Sequence, residues 1–410
     1  METVRSNREL PGETDVLIVG SGPTGLTLGC VLAARGIPFV LIDRIAEGAN
    51  TSRAAVVHAR TLEVLEQLGV TDGLCARGHV VPRFTLRDRD RALASIRFDR
   101  LPTSYPYTLM IPQQVTESIL LARLRELGGD VIRPCAVSGV LQDTHGVSVT
   151  VALGEQPIQS IRARYLVGAD GMHSTVREQA GIGFTGGSYE QSFVLADVRM
   201  RWSLDASEVM LFFSPEGLVV VAPLPGGHHR IVATMDEAPP QLAIEDVQRL
   251  LDTRGPVSEP ARVDAIVWSS RFRLHHRLAD RYRAGRVLLA GDAAHTHSPA
   301  GGQGMNTGIQ DAVALGHALT AALVEGAGDG PLDDYERIRR PVAERVVAFT
   351  DRMTRVATMR SRRGRRIRNA ILSTIGQIPA APQRLAYELA GLRNRAGDRP
   401  AAGASRPMIA

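Results

Sequence analysis

Between residues 15 and 43 the chain spells out a strand, a glycine turn, a helix and a second strand. This unit restricts the fold more than any other stretch. Asp15-Val-Leu-Ile-Val19 is a short apolar run suited to a buried strand. Gly20-Ser-Gly22-Pro23-Thr24-Gly25 follows, then an Ala/Leu-rich helix from Leu26 to Arg35 that ends near Gly36. Phe39-Val-Leu-Ile42 is the next strand, and Asp43 closes it 18 residues after Gly25. A G-x-G-x-x-G turn between strand and helix, with an acid about twenty residues on, is the setting of a dinucleotide site. Gly20 allows the tight turn, Gly22 lets a pyrophosphate reach backbone, and Gly25 lets helix pack on strand. Asp43 suits the ribose hydroxyls.

The same kind of junction recurs twice. Tyr165-Leu-Val-Gly168-Ala-Asp170-Gly171 delivers an apolar strand into a turn, and Ser174 is placed to cap the helix after it. Arg286-Val-Leu-Leu-Ala290-Gly291-Asp292 repeats the pattern. A loop with Pro299, Gly301, Gly302 and Gly304 then leads into a long helix carrying Ala312, Val313, Leu315, Ala318 and Leu319. Asn306 or Thr307 is positioned to cap that helix, and Thr307 with Gln310 fits a capping box. A glycine floor ending on helix N–H groups favours an anion or an electron-rich acceptor.

At 410 residues the chain has room for two domains. It contains no lysine, so its 48 basic residues are all arginine, and every lysine-based nucleophile, Schiff base or proton donor is excluded. Residues 352–368 hold eight arginines and no acid, and removing them from the net +5 leaves −3 for the rest. That run has no interleaved aromatics, and a solvated C-terminal helix is preferred over nucleic-acid or membrane binding. Cys30, Cys75 and Cys135 form neither a disulfide framework nor a metal site. The polar N-terminus is unlike a signal peptide, and no run of about 18 apolar residues occurs. A cytoplasmic protein, monomer or homodimer, is expected.

Pro112 and Glu117 mark the start of a helix from Val115 to Leu127. Arg53, His58 and Arg60 lie just beyond the dinucleotide unit, either as solvated or capping charges or as phosphate and flavin contacts. Strand-like runs dominate from Phe184 to Phe272, with one helix from Ile244 to Leu251. His228 and His229 follow two glycines and read as hairpin-turn residues. His295 and His297 are two apart with no third ligand, which favours structural hydrogen bonding over a metal. Met210, Phe212, Val220 and Ala222 are candidates to point from the sheet toward a substrate. The expected divisions are 1–182, 183–272, 273–350 and 351–395, with a disordered tail at 396–410.

The three junctions together resemble the FAD-dependent monooxygenases of the p-hydroxybenzoate hydroxylase class, nearest to polyketide and phenol hydroxylases. The string Gly291-Asp292-Ala-Ala-His295, Pro299 and Gly301-Gly-Gln-Gly304-Met305-Asn306 carries most of the likeness, which spans about residues 13 to 350. It implies an α/β fold: a Rossmann-like FAD domain of the glutathione-reductase type, an inserted antiparallel substrate sheet and C-terminal helices. By position it assigns Gly20, Gly22, Gly25 and Asp43 to the ADP half of FAD, with Arg44 beside them, and Pro23, Thr24 and Arg53 join them as cofactor-binding candidates. Gln113 and Asp292 fall near the ribityl chain, Asp170 and Gly171 support FAD, and Gly291 turns the chain. Pro299 faces the flavin ring, Gly304, Met305 and Asn306 approach its pyrimidine edge, and His295 positions the loop. The implied reaction uses NADPH or NADH and O₂ to hydroxylate an aromatic or polyketide-like substrate through a flavin C4a-hydroperoxide. No protein nucleophile is required.

Relatives of that class often carry a thioredoxin-like C-terminal domain, for which the stretch after Arg340 is too short. A flavin halogenase would need a lysine and paired tryptophans, and neither is present. A flavin-dependent prenyl or polyene reductase and a non-catalytic FAD-binding homologue remain as alternatives.

Overall fold

The computed structural model describes residues 10–46 and 54–397, apart from 155, 204, 206, 215, 236–238, 240 and 360. Its centre is a sheet of parallel strands in the order Val287–Leu289, Gln159–Gly168, Glu13–Val19, Phe39–Ile42 and Val131–Ile132. An antiparallel extension, Cys135–Gln142 and Val147–Leu153, leaves it through Gln159–Gly168. Helices Pro23–Ala34, Gln113–Glu126 and Gly304–Leu323 cover the parallel strands. Val16, Leu17, Ile18, Leu41, Ile42, Leu166, Val167 and Leu288 are buried in one core with Leu28, Leu32 and Leu315. Strands buried on both faces read as unbroken apolar runs, which is why four of these five are visible as sequence.

The second sheet runs in the order His295–Thr296, Arg262–Ala279, Phe184–Arg201, His228–Met235, Gly217–Leu224, Glu208–Ser214, Arg83–Asp88 and Arg91–Arg97. It is antiparallel except where Glu208–Ser214 pairs in parallel with Arg83–Asp88. Arg83–Asp88 and Arg91–Arg97 thus join this sheet from the first part of the chain, whereas His79–Val81 and Thr108–Met110 form a separate three-stranded sheet with Val56–Val57. Arg262–Ala279 is a single strand of 18 residues, so the boundary expected at 272 falls inside it. Its far end pairs with His295–Thr296, which stitches the second sheet to the loop after the third junction. Among the described residues, no helix is long and apolar enough to cross a membrane.

The chain returns through helices Gly330–Ala357, Arg362–Gly376 and Ala380–Leu389. The periodicity from about Arg366 to Leu392 reads as one continuous helix. Instead the path breaks at Gln377-Ile-Pro379, because proline at 379 cannot extend the preceding helix. Arg368 and Asn369 turn inward and donate to the Phe213 carbonyl. The other arginines of the basic run that are described lie at or near the surface. Arg53 and the tail from 398 lie outside the described residues.

Candidate active site

All three glycine junctions emerge side by side. Val19, Gly168 and Leu289 are aligned in register on adjacent parallel strands, so the turns after them meet at one edge of the sheet. Ala169 N donates to Val19 O at 2.8 Å and Ala290 N to Gly168 O at 3.0 Å, locking the three turns together. The carboxyl edge of such a sheet is where ligands bind.

The first junction separates two kinds of glycine. Gly20 has φ +106, and a side chain there would overlap the Ala169 carbonyl. A Cβ on Gly25 would collide with the Gly20 carbonyl, so helix Pro23–Ala34 packs on its strand only because that residue is glycine. Gly22 has neither constraint. Its backbone is ordinary extended (φ −70, ψ −176) and a Cβ would point into open space. That open space beside a helix N-terminus fits a pyrophosphate. Ser21 donates both its N–H (2.7 Å) and its hydroxyl (2.8 Å) to Asp43 Oδ2. Asp43 Oδ1 takes the N–H of Ile45 at 2.9 Å. Arg44, beside it, is exposed. Gln113 holds the far side, its N–H donating to Ala54 O at 3.1 Å and its Nε2 to Glu117 at 2.8 Å.

At the second junction the carboxylate is used internally. Asp170 accepts from the Ser174 hydroxyl and from Val176 N–H at 3.2 Å, while Ser174 caps the helix through Arg177 N. Burial pushes the Asp170 carboxyl up, against the pull of these donors. Gly171 has φ +82 with open space beside it. Arg177 is buried and ties the second junction to the third, donating to Met172 O at 2.9 Å and Ala293 O at 3.0 Å.

The third junction is keyed to the first by Thr24. Cβ atoms on Gly291 (φ +63) and Gly308 would each lie 2.5 Å from Thr24 Oγ1, so the turn, the first helix and the long helix close on one another. Asp292 and Pro299 are exposed toward solvent. The loop after them folds back at Gly301 and Gly302, both with positive φ, and a side chain on Gly302 would press on Val56. Asn306 fastens this loop: its Nδ2 donates to Val56 O and Gly302 O, and its Oδ1 accepts from His58 N at 2.8 Å. His58 donates Nε2–H to Gly301 O at 2.7 Å.

The long helix begins at Gly304, earlier than expected, and no side chain caps it. Neither Asn306 nor Thr307 is the cap. Thr307 is inside the helix and donates its hydroxyl to Gln303 O at 3.0 Å, and Gln310 reaches Thr61 instead of closing a capping box. An uncapped N-terminus at Gly304, Met305 and Asn306 leaves N–H groups and the positive end of the dipole for a ligand.

Beneath this floor lies a buried network that the sequence did not announce. His295 Nε2 is 2.7 Å from Asp311 Oδ2, and Arg339 Nε donates to Asp311 Oδ1 at 2.8 Å. Gly291 N–H also points at Asp311 Oδ2, at 3.3 Å. Burial alone would raise the Asp311 carboxyl, but Arg339 and His295 outweigh it and hold it below the usual range. Asp311 and Arg339 sit at core-facing helical positions, and a charged residue within an apolar stripe was their only signal.

The four substrate candidates divide between opposite faces of the second sheet. Met210 pairs with Val221 and Phe212 with Val219, and these pack under helix Ile244–Arg254 with Val247 and Leu250. Met210 and Phe212 are therefore core residues on the back of the sheet. Val220 and Ala222 face the other way, toward Phe84, Leu101, Met110 and Val56, which is the side of the third junction. Alternation identifies a face without saying which one looks inward. That inner face also carries a buried ion pair. Arg230 pairs with Ala222 and with Asp197, and it donates Nε and Nη2 to the Asp197 carboxylate at 2.7 Å each.

Residues 13–350 match a family described as FAD binding domain. The chain belongs to that family. A flavin-dependent monooxygenase of Mycobacteroides abscessus is 40% identical over 355 residues, 82% of this chain and 73% of that protein. A 12-dehydrotetracycline 5-monooxygenase/anhydrotetracycline 6-monooxygenase of Streptomyces rimosus is 39% identical over 349 residues, covering 82% and 68%. Among solved structures, the anhydrotetracycline hydroxylase OxyS from Streptomyces rimosus superposes with TM-score 0.79 at 35% identity, covering 96% of this chain and 78% of that one. A p-nitrophenol 4-monooxygenase from Pseudomonas putida gives TM-score 0.82 at 26% identity, covering 94% and 100%. The protein is an FAD-dependent monooxygenase.

Proposed function

We propose that this monooxygenase hydroxylates a large aromatic or polyketide-like ring, with NADPH or NADH as transient reductant and O₂ as co-substrate. The observation that carries the reading is the alignment of three glycine turns at one sheet edge beside an uncapped helix N-terminus. Relatives named for anhydrotetracycline, rifampicin and pentachlorophenol oxidation support the substrate class. When bound, FAD supplies hydride acceptance and oxygen activation.

The chain's own residues hold and shield that chemistry. Gly22 leaves room for the pyrophosphate, and Asp43, already fixed by Ser21, receives ribose hydroxyls. Gln113 and Asp292 would hold the ribityl chain, and Pro299 would face the ring. The N–H groups of Gly304, Met305 and Asn306 stabilise negative charge on the reduced ring edge. Val220, Ala222 and Met110 form an apolar wall that keeps water from the reacting atoms. Asp311 and Arg339 keep the loop from relaxing.

The test is NADPH and NADH oxidation screened over phenolic and polycyclic polyketide compounds, with O₂ uptake and peroxide measured together. Product formation matched to O₂ is expected. Product formed anaerobically from reduced flavin would instead mark a reductase, and a colourless protein that FAD does not stabilise would refute the cofactor assignment.

A further inference from the structure

Helix Arg362–Gly376 has two different sides. One side packs on the second sheet: Arg368 and Asn369 reach the Phe213 carbonyl, and Leu372 packs against the apolar cluster that holds Phe84 and Ala222. Another carries Ile367, Ile371 and Ile375, spaced four apart and so stacked along one row of the helix. These three are 61%, 51% and 43% exposed, and Ile378, just past the helix end, is 52% exposed. Isoleucine is among the residues most often buried, and a contiguous exposed row of it marks an interaction surface.

Cationic residues border the row. Arg363 heads it, one turn before Ile367, and Arg362 and Arg366 begin the adjoining row; all three are exposed. No acidic residue occurs between Asp351 and Glu388, a stretch that holds nine arginines. From sequence the basic run reads as a solvated helix, but a solvated helix has no use for an isoleucine row on its open side. Nucleic acid would satisfy the arginines and leave the isoleucines in water, and residues 352–376 contain no aromatic ring to stack on bases. A second copy would cover the isoleucines but bring a like-charged run to the same surface. An anionic bilayer uses both features, with apolar side chains among the acyl chains and guanidinium groups at the headgroups.

We propose that helix Arg362–Gly376 docks this protein onto an anionic lipid surface. Ile367, Ile371, Ile375 and Ile378 enter the boundary between headgroups and acyl chains, and Arg362, Arg363 and Arg366 meet lipid phosphates. The contact is peripheral, with the helix lying in the plane of the surface. The inward side of the same helix covers the apolar cluster that includes Ala222, so docking brings the proposed substrate wall to where large apolar rings collect. That consequence rests on the substrate class proposed above; the docking itself does not.

The test is flotation of the full chain, without substrate, on vesicles of phosphatidylcholine alone or with about one third phosphatidylglycerol. Wild type is compared with the double variants Ile367→Ser/Ile371→Ser and Arg363→Gln/Arg366→Gln. Wild type is expected to bind the phosphatidylglycerol vesicles at least about tenfold more tightly than the neutral ones at low salt, and to lose most of that preference near about 1 M salt. The serine variant should bind both kinds at least about tenfold more weakly, with its thermal midpoint within about 2 °C of wild type because both positions are exposed. The glutamine variant should lose most of the preference for phosphatidylglycerol. A wild type that stays off the anionic vesicles, or a serine variant that binds them as tightly, overturns the proposal. Self-association in sedimentation that the serine variant abolishes would give the row to a second copy, and DNA binding without lipid binding would give the arginines to nucleic acid; either overturns it too.

Discussion

Arg339 donates its Nε to Asp311 Oδ1 across 2.8 Å, and neither side chain reaches solvent. The pair joins the long helix to the helix after it, and through Gly291 and His295 it supports the turn that presents Asp292. Removing one member of such a pair strands a charge in the interior. Arg339→Met is therefore expected to lower stability by about 3–5 kcal/mol, read from the urea midpoint at constant m-value. A loss under about 1 kcal/mol would show that Asp311 needs no counter-ion.

Histidine burial sets an acid limit on stability. Burial pushes His58 down to about 4 despite its bond to Gly301 O, and His297 is pushed to the same level. Both are neutral when folded but gain protons near 6.5 when unfolded. Their contribution is complete above about pH 6.5 and is lost as pH falls toward about 4, at up to about 1.4 kcal/mol per pH unit for each histidine. Asp311, held low, adds a further loss only below the ordinary carboxylate range near about 4. Denaturant titrations from pH 7.5 to 4.5 should show this decline. A flat profile would mean that solvent reaches these rings.

Two glycines of the first turn should separate folding from binding. Gly22→Ala places a methyl group in open space with an allowed backbone, so the flavin-free thermal midpoint should stay within about 2 °C while FAD affinity falls at least about tenfold. Gly25→Ala drives a methyl group into the Gly20 carbonyl and should lower both. Equal behaviour of the two variants would contradict the assignment of the space beside Gly22 to pyrophosphate.

Asp292 is exposed in the turn Gly291–Ala293 and is not needed to build the core. Asp292→Ala should purify with most of its FAD missing yet keep its far-ultraviolet circular dichroism. Retention of a full complement of FAD would remove Asp292 from the ribityl contacts.

The two faces of the second sheet predict opposite phenotypes. Phe212→Ala opens a hole under helix Ile244–Arg254 and should cost about 3–5 kcal/mol without changing which compounds are oxidised. Ala222→Phe overfills a buried position and should cost about 1–3 kcal/mol, but unlike Phe212→Ala it should raise KM for the largest substrates at least about tenfold. If the KM change follows Phe212 instead, the inner face has been assigned wrongly.

Much of this protein is local and so was written in the sequence. The three junctions, the Ser174 cap and the apolar parallel strands depend on residues within a few positions of one another. Glycine's conformational range and the two-sided burial of parallel strands leave a direct mark there. Tertiary structure decided what depends on partners far along the chain. Thr24 keyed into Gly291 and Gly308, Arg177 spanning two turns and Asp311 held by Arg339 involve pairs with no sequence proximity. The start of the long helix moved to Gly304 because Asn306 is engaged by Val56 and His58, some 250 residues away in sequence. Period-two alternation grouped Met210 and Phe212 with Val220 and Ala222, but only the packing of a helix on one side showed which pair looks inward. Register gives a strand two faces, and the rest of the fold chooses between them.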